Sequence, residues 1–132
     1  MERKVRVLFA RFILDGHERG VIVVMNRCRE KGMELIYICF MDPEEVAAVA
    51  EQEDVDVIGL TSSLGAHLRL VAGIQAALKA RGLQVPLIIG GVFPTVDIPE
   101  LQKMGIRGFF GPGSSPEEAA SFILQLARRN EI

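Results

Sequence analysis

The sequence has no tryptophan, a single tyrosine and only two cysteines. Cys28 and Cys39 form neither a CxxC pair nor a zinc-like set, so no disulfide framework or structural zinc is expected to hold the fold. No apolar run reaches the ~18 residues that a membrane-crossing helix needs, and no signal-peptide pattern precedes the first apolar segment. Net charge is −2 over 132 residues, which leaves no basic field for nucleic acid or an anionic membrane surface. The short basic groups Arg3-Lys4 and Arg128-Arg129 read as solvated ends. These absences describe one reduced domain over residues 1–132, expected in the cytoplasm.

What is present is alternation. Val5–Ala10 reads as a buried strand, followed by a helix over residues 18–31 that stops at Gly32. Glu34–Cys39 is the second strand. Asp42-Pro43-Glu44-Glu45 then opens a helix with an N-cap Asp, a first-turn Pro and carboxylates near the positive end of the dipole. That helix runs to about Glu53, and Val55–Leu60 follows as the third strand. A helix over 66–81 precedes the fourth strand, Val85–Ile89, which ends in Gly90-Gly91. A short helix over Asp97–Met104 and a short strand over Gly108–Phe110 come next. Ser115-Pro116-Glu117-Glu118 caps a last helix over 116–129.

Five strands alternating with five helices predict an α/β fold: a parallel sheet with helices on both faces. The common five-stranded solution is the flavodoxin-like (Rossmann-like) order 2-1-3-4-5. Ligands in such sheets bind beyond the carboxyl ends of the strands, near the switch point between strands one and three. Four segments at that end carry the candidate chemistry: residues 11–20, 61–67, 90–94 and 111–115.

Asp15 and His17 are the sharpest pair. A neutral imidazole can give one nitrogen to a metal while a nearby carboxylate holds the proton on the other. Gly16 between them permits a backbone shape that lets both side chains converge. Taken alone, the three residues are better read as a turn or helix start than as a metal site. Gly90-Gly91 suits either a close ligand or a tight turn, and Ser62 and Ser63 suit either ligand contact or capping of the third helix. His67 reads as a surface or helix-start histidine, with contact to a ligand or partner as its other role.

Taken in order, these motifs resemble the signature of cobalamin-binding domains, Asp-x-His-x-x-Gly, then Ser-x-Leu, then Gly-Gly. They stand here as Asp15-Gly16-His17-Glu18-Arg19-Gly20, Ser62-Ser63-Leu64 and Gly90-Gly91, separated by residues 21–61 and 65–89. The resemblance covers nearly the whole chain and is closest to the methylmalonyl-CoA mutase family. Residues 52–60 and Phe110-Gly111-Pro112-Gly113 look typical of that branch. It implies base-off binding, in which the dimethylbenzimidazole leaves cobalt and its nucleotide tail enters a slot between sheet and helix. His17 would be the lower axial ligand to cobalt and Asp15 its hydrogen-bond partner. Ser62, Leu64, Gly90 and Gly91, with Gly16 and Gly20, would complete the cofactor site. Adenosylcobalamin is the implied form. The implied partner is a large catalytic mutase subunit whose (β/α)₈ barrel binds the acyl-CoA substrate.

One stretch departs from the family pattern. A Lys and a Gly usually precede the Asp-x-His pair, where Arg11, Phe12 and Ile13 stand here. Arg11 can replace the charge of lysine but not its shape. The bulky Phe12 and Ile13 could refold the loop, press on the corrin or close the site. The alternatives are a non-catalytic corrinoid carrier, or a flavodoxin-like interaction module that has lost its cofactor. A response-regulator module would need an acidic cluster and a phospho-acceptor at the strand ends, where Asp15-Gly16-His17 stands instead.

Overall fold

The computed structural model describes residues 4–13, 19–61, 66–91, 94–111 and 113–129. In chain order the elements are β1 (Arg6–Phe12), α1 (Arg19–Glu30), β2 (Glu34–Phe40), α2 (Pro43–Glu53), β3 (Val57–Thr61), α3 (His67–Ala80), β4 (Leu87–Gly90), α4 (Ile98–Lys103), β5 (Ile106–Phe110) and α5 (Pro116–Arg129). A 3₁₀ turn at Thr95–Asp97 leads into α4. The five strands pair in parallel in the order β2-β1-β3-β4-β5, as the alternation predicts.

Side chains alternate across each strand and divide the interior into two cores. Leu8, Ala10, Phe12, Ile58, Leu60, Leu87 and Ile89 point to the face covered by α2, α3 and α4. Val7, Phe9, Val57 and Ile88 point to the face covered by α1 and α5, where Val21, Met25, Ala120 and Ile123 meet them. The inner strands are therefore apolar on both sides, the pattern of a buried parallel sheet. Among the described residues no helix is long and apolar enough to cross a membrane.

Local chemistry sets the element ends. At the start of α2, Asp42 Oδ1 accepts from the Glu44 N–H at 3.0 Å, and Glu45 Oε1 accepts from the Asp42 N–H at 3.3 Å. The N-cap Asp expected from the sequence is thus one half of a reciprocal capping box, with Glu45 as the other. The Ser115 hydroxyl accepts from the Glu118 N–H at 3.3 Å, so the serine before Pro116 does cap α5. Arg81 then ties α3 to α2 through Glu44 and Glu51, at 2.8 and 2.6 Å.

Several bounds differ from the sequence-based expectation, each for a local reason. β1 runs on to Phe12 because Arg11 and Phe12 still find ladder partners in Cys39 and Phe40. β3 starts at Val57, not Val55. Asp54 closes α2 in the left-handed region at φ 51°, the Val55 N–H returns to Ala50, and the Asp56 carboxylate accepts from the Arg6 N–H at 2.9 Å. β4 starts at Leu87 because Pro86 has no N–H to give a ladder, although its carbonyl accepts from Ile58. β5 begins two residues earlier than expected, at Ile106, which pairs with Leu87 ahead of a register shift.

Phe40 is fully buried and its ring centre lies 5.7 Å from that of Phe12. Phe40→Ala is expected to cost about 3–5 kcal/mol, read as a lower urea midpoint at unchanged slope. The two free cysteines differ in the same way. Burial pushes the Cys28 thiol up from 9.0 to about 11, with Lys31 opposing, whereas Cys39 is exposed. At pH 8 a thiol reagent should modify native Cys39 first and reach Cys28 only in denaturant. Because folding raises the Cys28 value, its contribution is fully present below about 9 and lost as pH rises towards about 11. A Cys28→Ala comparison by urea melts across that window checks the sign.

Candidate functional site

The chain leaves β1 towards β2 on one side and returns to β3 on the other, so a crevice opens at the carboxyl ends of these strands. A groove of about 470 Å³ occupies it on the α1/α5 face. Phe9, Gly59 and Ile88 form its floor, α1 and α5 its walls, and the turn from Gly111 to Ser115 its far rim. Its lining is mostly apolar with a few polar groups at the rim, which suits a large and mainly apolar ligand.

Glycine creates this space in three ways. At Gly59 a Cβ would stand 3.1 Å from the Phe9 ring, so the floor is already closed beneath it. Gly91, at φ 120°, turns the chain out of β4 while its N–H donates to the Phe110 carbonyl at 3.1 Å. Side chains rarely adopt that backbone shape. Gly90 lies against the same carbonyl, where a Cβ would approach to 3.4 Å. Gly20 is different. Nothing lies within 4 Å of where its Cβ would be, so packing does not demand a glycine there. The room beside α1 is left open to the groove.

The expected site residues divide accordingly. Gly20, Gly90 and Gly91 all line the groove, brought together from α1 and the end of β4. Asp15, Gly16, His17, Ser62 and Leu64 lie outside the described residues, and so does Ser63. The N-cap position of α3 falls to Ala66, which makes no side-chain cap bond. Among the described residues no group of His, Cys, Asp and Glu is arranged to hold a metal.

The departing stretch resolves clearly for Phe12. Its ring is buried on the opposite face of the sheet, against Phe40, with the Arg69 guanidinium carbon 6.0 Å from its centre. Phe12 therefore does not fill the groove. Ile13 is exposed just past the end of β1, its N–H bonded to the Phe40 carbonyl at 2.8 Å. Arg11 turns along the sheet towards β2, donating from Nε to the Tyr37 hydroxyl at 2.9 Å and from Nη2 to Cys39 Sγ at 3.1 Å. The bond to Tyr37 is the largest of the effects that raise its pKa, holding the guanidinium firmly charged.

His67 corrects the sequence reading. It does begin a helix, but it is buried rather than at the surface, with Nε2 2.7 Å from Asp97 Oδ2. Other groove residues were not singled out in the sequence at all, among them Phe9, Ile88, Ala119 and Gly59. Gly59 carried a usable signal, since an isolated glycine inside a strand pattern marks a close approach. The others read only as core.

The glycines give opposite expectations on substitution. Gly20→Ala should leave stability unchanged or raise it by up to about 1 kcal/mol, because it adds helix propensity in open space. Gly91→Ala should cost about 1–3 kcal/mol through backbone strain. Urea denaturation of the two variants measures the contrast, and equal losses would contradict it.

Comparison with known proteins places this geometry. Residues 5–121 match the B12 binding domain family. The pivalyl-CoA mutase small subunit of Xanthobacter autotrophicus is 37% identical over 130 residues, which are 97% of this chain and 87% of that one. The 2-hydroxyisobutanoyl-CoA mutase small subunit of Aquincola tertiaricarbonis is 39% identical, over 92% of this chain and 91% of its own. A methylmalonyl-CoA mutase from Cereibacter sphaeroides is 36% identical over 96% of this chain, which spans only 18% of that protein. Among solved structures, a cobalamin-binding protein from Desulfitobacterium hafniense superposes with a TM-score of 0.77 at 19% identity, covering 92% of this chain and 58% of that one. A Francisella response-regulator receiver domain gives 0.72 at 19% identity, over 96% of this chain and 99% of its own. At such identities these two likenesses speak to the fold alone.

Proposed function

The chain belongs to the B12-binding domain family, and from that premise we propose that it is the cobalamin-carrying subunit of an adenosylcobalamin-dependent acyl-CoA mutase. The observation that carries this reading is the groove: an open, glycine-edged slot between the sheet and α1/α5, lined by Arg19 and Gly20, which directly follow Asp15-Gly16-His17-Glu18 in sequence. Two mutase small subunits that align with nearly the whole chain support the subunit role.

Each residue has a defined task. His17 would hold the cobalt through one ring nitrogen of its imidazole. The Asp15 carboxylate would accept from the other ring N–H, fixing the tautomer and raising the basicity of the ligating nitrogen. Gly16 would give the backbone freedom for the two side chains to converge. The groove would take the cofactor's nucleotide tail, with Gly20 leaving room beside α1 and Gly90 and Gly91 admitting it close to the backbone of β4. Ser62 and Leu64 would complete the cofactor site. Excluding water from an apolar slot strengthens the polar contacts at its rim.

When bound, the cofactor supplies a weak cobalt–carbon bond whose homolysis starts the carbon-skeleton rearrangement. This chain holds and orients it. A large partner subunit with a (β/α)₈ barrel binds the acyl-CoA and contributes the substrate contacts. Methylmalonyl-CoA is the default substrate, with isobutyryl-CoA and hydroxyacyl-CoA relatives as the other members of the class. The cytoplasm is the proposed compartment, consistent with two free cysteines. The reading of a module that has lost its cofactor loses its main support, because Phe12 packs away from the groove.

The test is an EPR spectrum of the chain with cob(II)alamin. Nitrogen splitting that responds to heavy-nitrogen labelling of histidine and vanishes in His17→Ala is the expected result. Gly20→Leu should weaken binding while the cofactor-free protein melts no earlier than wild type. A free-cofactor spectrum at saturating wild-type protein would overturn the proposal.

A further inference from the structure

β3 and β4 end side by side: Thr61 pairs with Gly90 in the ladder, and both residues line the groove. From that point the two chains leave the sheet separately. One runs through residues 62–66 and returns as α3 at His67. The other runs through residues 91–96 and returns at Asp97, just ahead of α4. The two returns meet. His67 Nε2 and Asp97 Oδ2 are 2.7 Å apart, with the imidazole side chain 3% exposed and the carboxylate 25%.

We propose that this pair is a latch across the far ends of the two segments, which makes His67 a positioning residue for the cofactor. The ladder at Thr61 and Gly90 fixes their near ends, and the latch fixes the others. Each segment is then held at both ends, by Thr61 and His67 for one and by Gly90 and Asp97 for the other. An apolar pair at the start of α3 would pack at lower desolvation cost but would not fix direction, whereas a short hydrogen bond to a carboxylate holds at one geometry only. The position suits the charge as well. Ala66 provides no side-chain cap, and the carboxylate stands at the N-terminal end of α3, where the macrodipole favours it. The inference rests on the cobalamin reading for what the rim receives, but not for the latch itself.

Two measurements on purified chain test it. The first titrates hydroxocobalamin, followed by its visible spectrum, into wild type, His67→Leu, Asp97→Ala and His67→Gln. Breaking the latch should weaken binding by about tenfold or more. His67→Gln, which returns a donor near the Nε2 position, should restore most of it. The second follows amide exchange without cofactor: the broken variants should exchange faster at residues 66–70 and 95–101 and not in α1 or α5. Unchanged binding in both broken variants, or a rise in exchange spread evenly over the chain, overturns the latch. Wild type that fails to take hydroxocobalamin sinks the cobalamin reading, and local exchange then decides the latch by itself. Should His67→Leu fail to fold, Asp97→Ala carries the test, since its side chain already reaches solvent.

Discussion

The register of β1 between its two neighbours governs everything at the functional end of the molecule. β1 pairs with β2 along one edge and with β3 along the other, so its alternation is pinned from both sides. Leu8, Ala10 and Phe12 go to one core, while Val7 and Phe9 go to the other. A slip of one residue would exchange the two sets. The ring of Phe12 would then move to the face that holds the groove, and Phe9 would leave its floor. The ring of Phe12 is thus kept out of the groove for a geometric reason. The sheet places Phe12 beside Phe40, where a large ring is wanted.

The two faces of the sheet are finished differently. On the α2/α3 face large side chains fill the space out to the ends of the strands, with Phe40, Leu60, Leu70 and Ile89 fully buried. On the α1/α5 face the same level carries Gly59 and Gly90 on the sheet and Ala119 on α5, and a groove remains. A void of this kind forgoes the dispersion contacts that its lining would otherwise make. The protein tolerates it because the opposite core and the lower halves of α1 and α5 are densely apolar. A ligand that fills the groove returns those contacts and adds its binding free energy to the stability of the native state. Stability and occupancy are therefore coupled on this face and largely independent on the other.

The fold was legible in the sequence because the signals agreed at several levels. Asp42-Pro43 and Ser115-Pro116 mark helix starts, glycines mark stops, and five apolar runs of strand length lie between. The errors came where a single backbone group outweighed the apolar pattern. Pro86 cannot donate to a ladder, and Asp54 takes the left-handed region, so β4 and β3 both start later than their valines suggest. The candidate site was legible only in part. Gly20, Gly90 and Gly91 could be placed at strand ends from their motifs, and the structure brings them to one groove. Phe9, Ile88 and Ala119 could not, because a groove wall and a core residue look alike until the neighbouring helix is placed. His67, read as a surface or helix-start residue, does start α3, but its burial was not legible for a related reason. Its partner Asp97 lies on a different segment, and nothing local announces the contact.

That contact shows how a doubly wound sheet can hold irregular chain at its rim. Strand ends are rigid, but the segments beyond them have no ladder of their own and must be fixed by something else. The segment after β5 is short and closes on itself, with Ser114 donating to Gly111 and Ser115 capping α5. The segments after β3 and β4 lead into α3 and α4, and neither of those helices begins with a capping side chain. One buried imidazole joins the residue that starts α3 to the residue just ahead of α4 with a single contact. The loss of chain entropy then falls on folding rather than on binding, which is the condition for a preorganised site. A groove with room for a large ligand and a rim already in place are two parts of one solution. The glycines leave the space, and the pairs at Thr61–Gly90 and His67–Asp97 keep its edge where the ligand needs it.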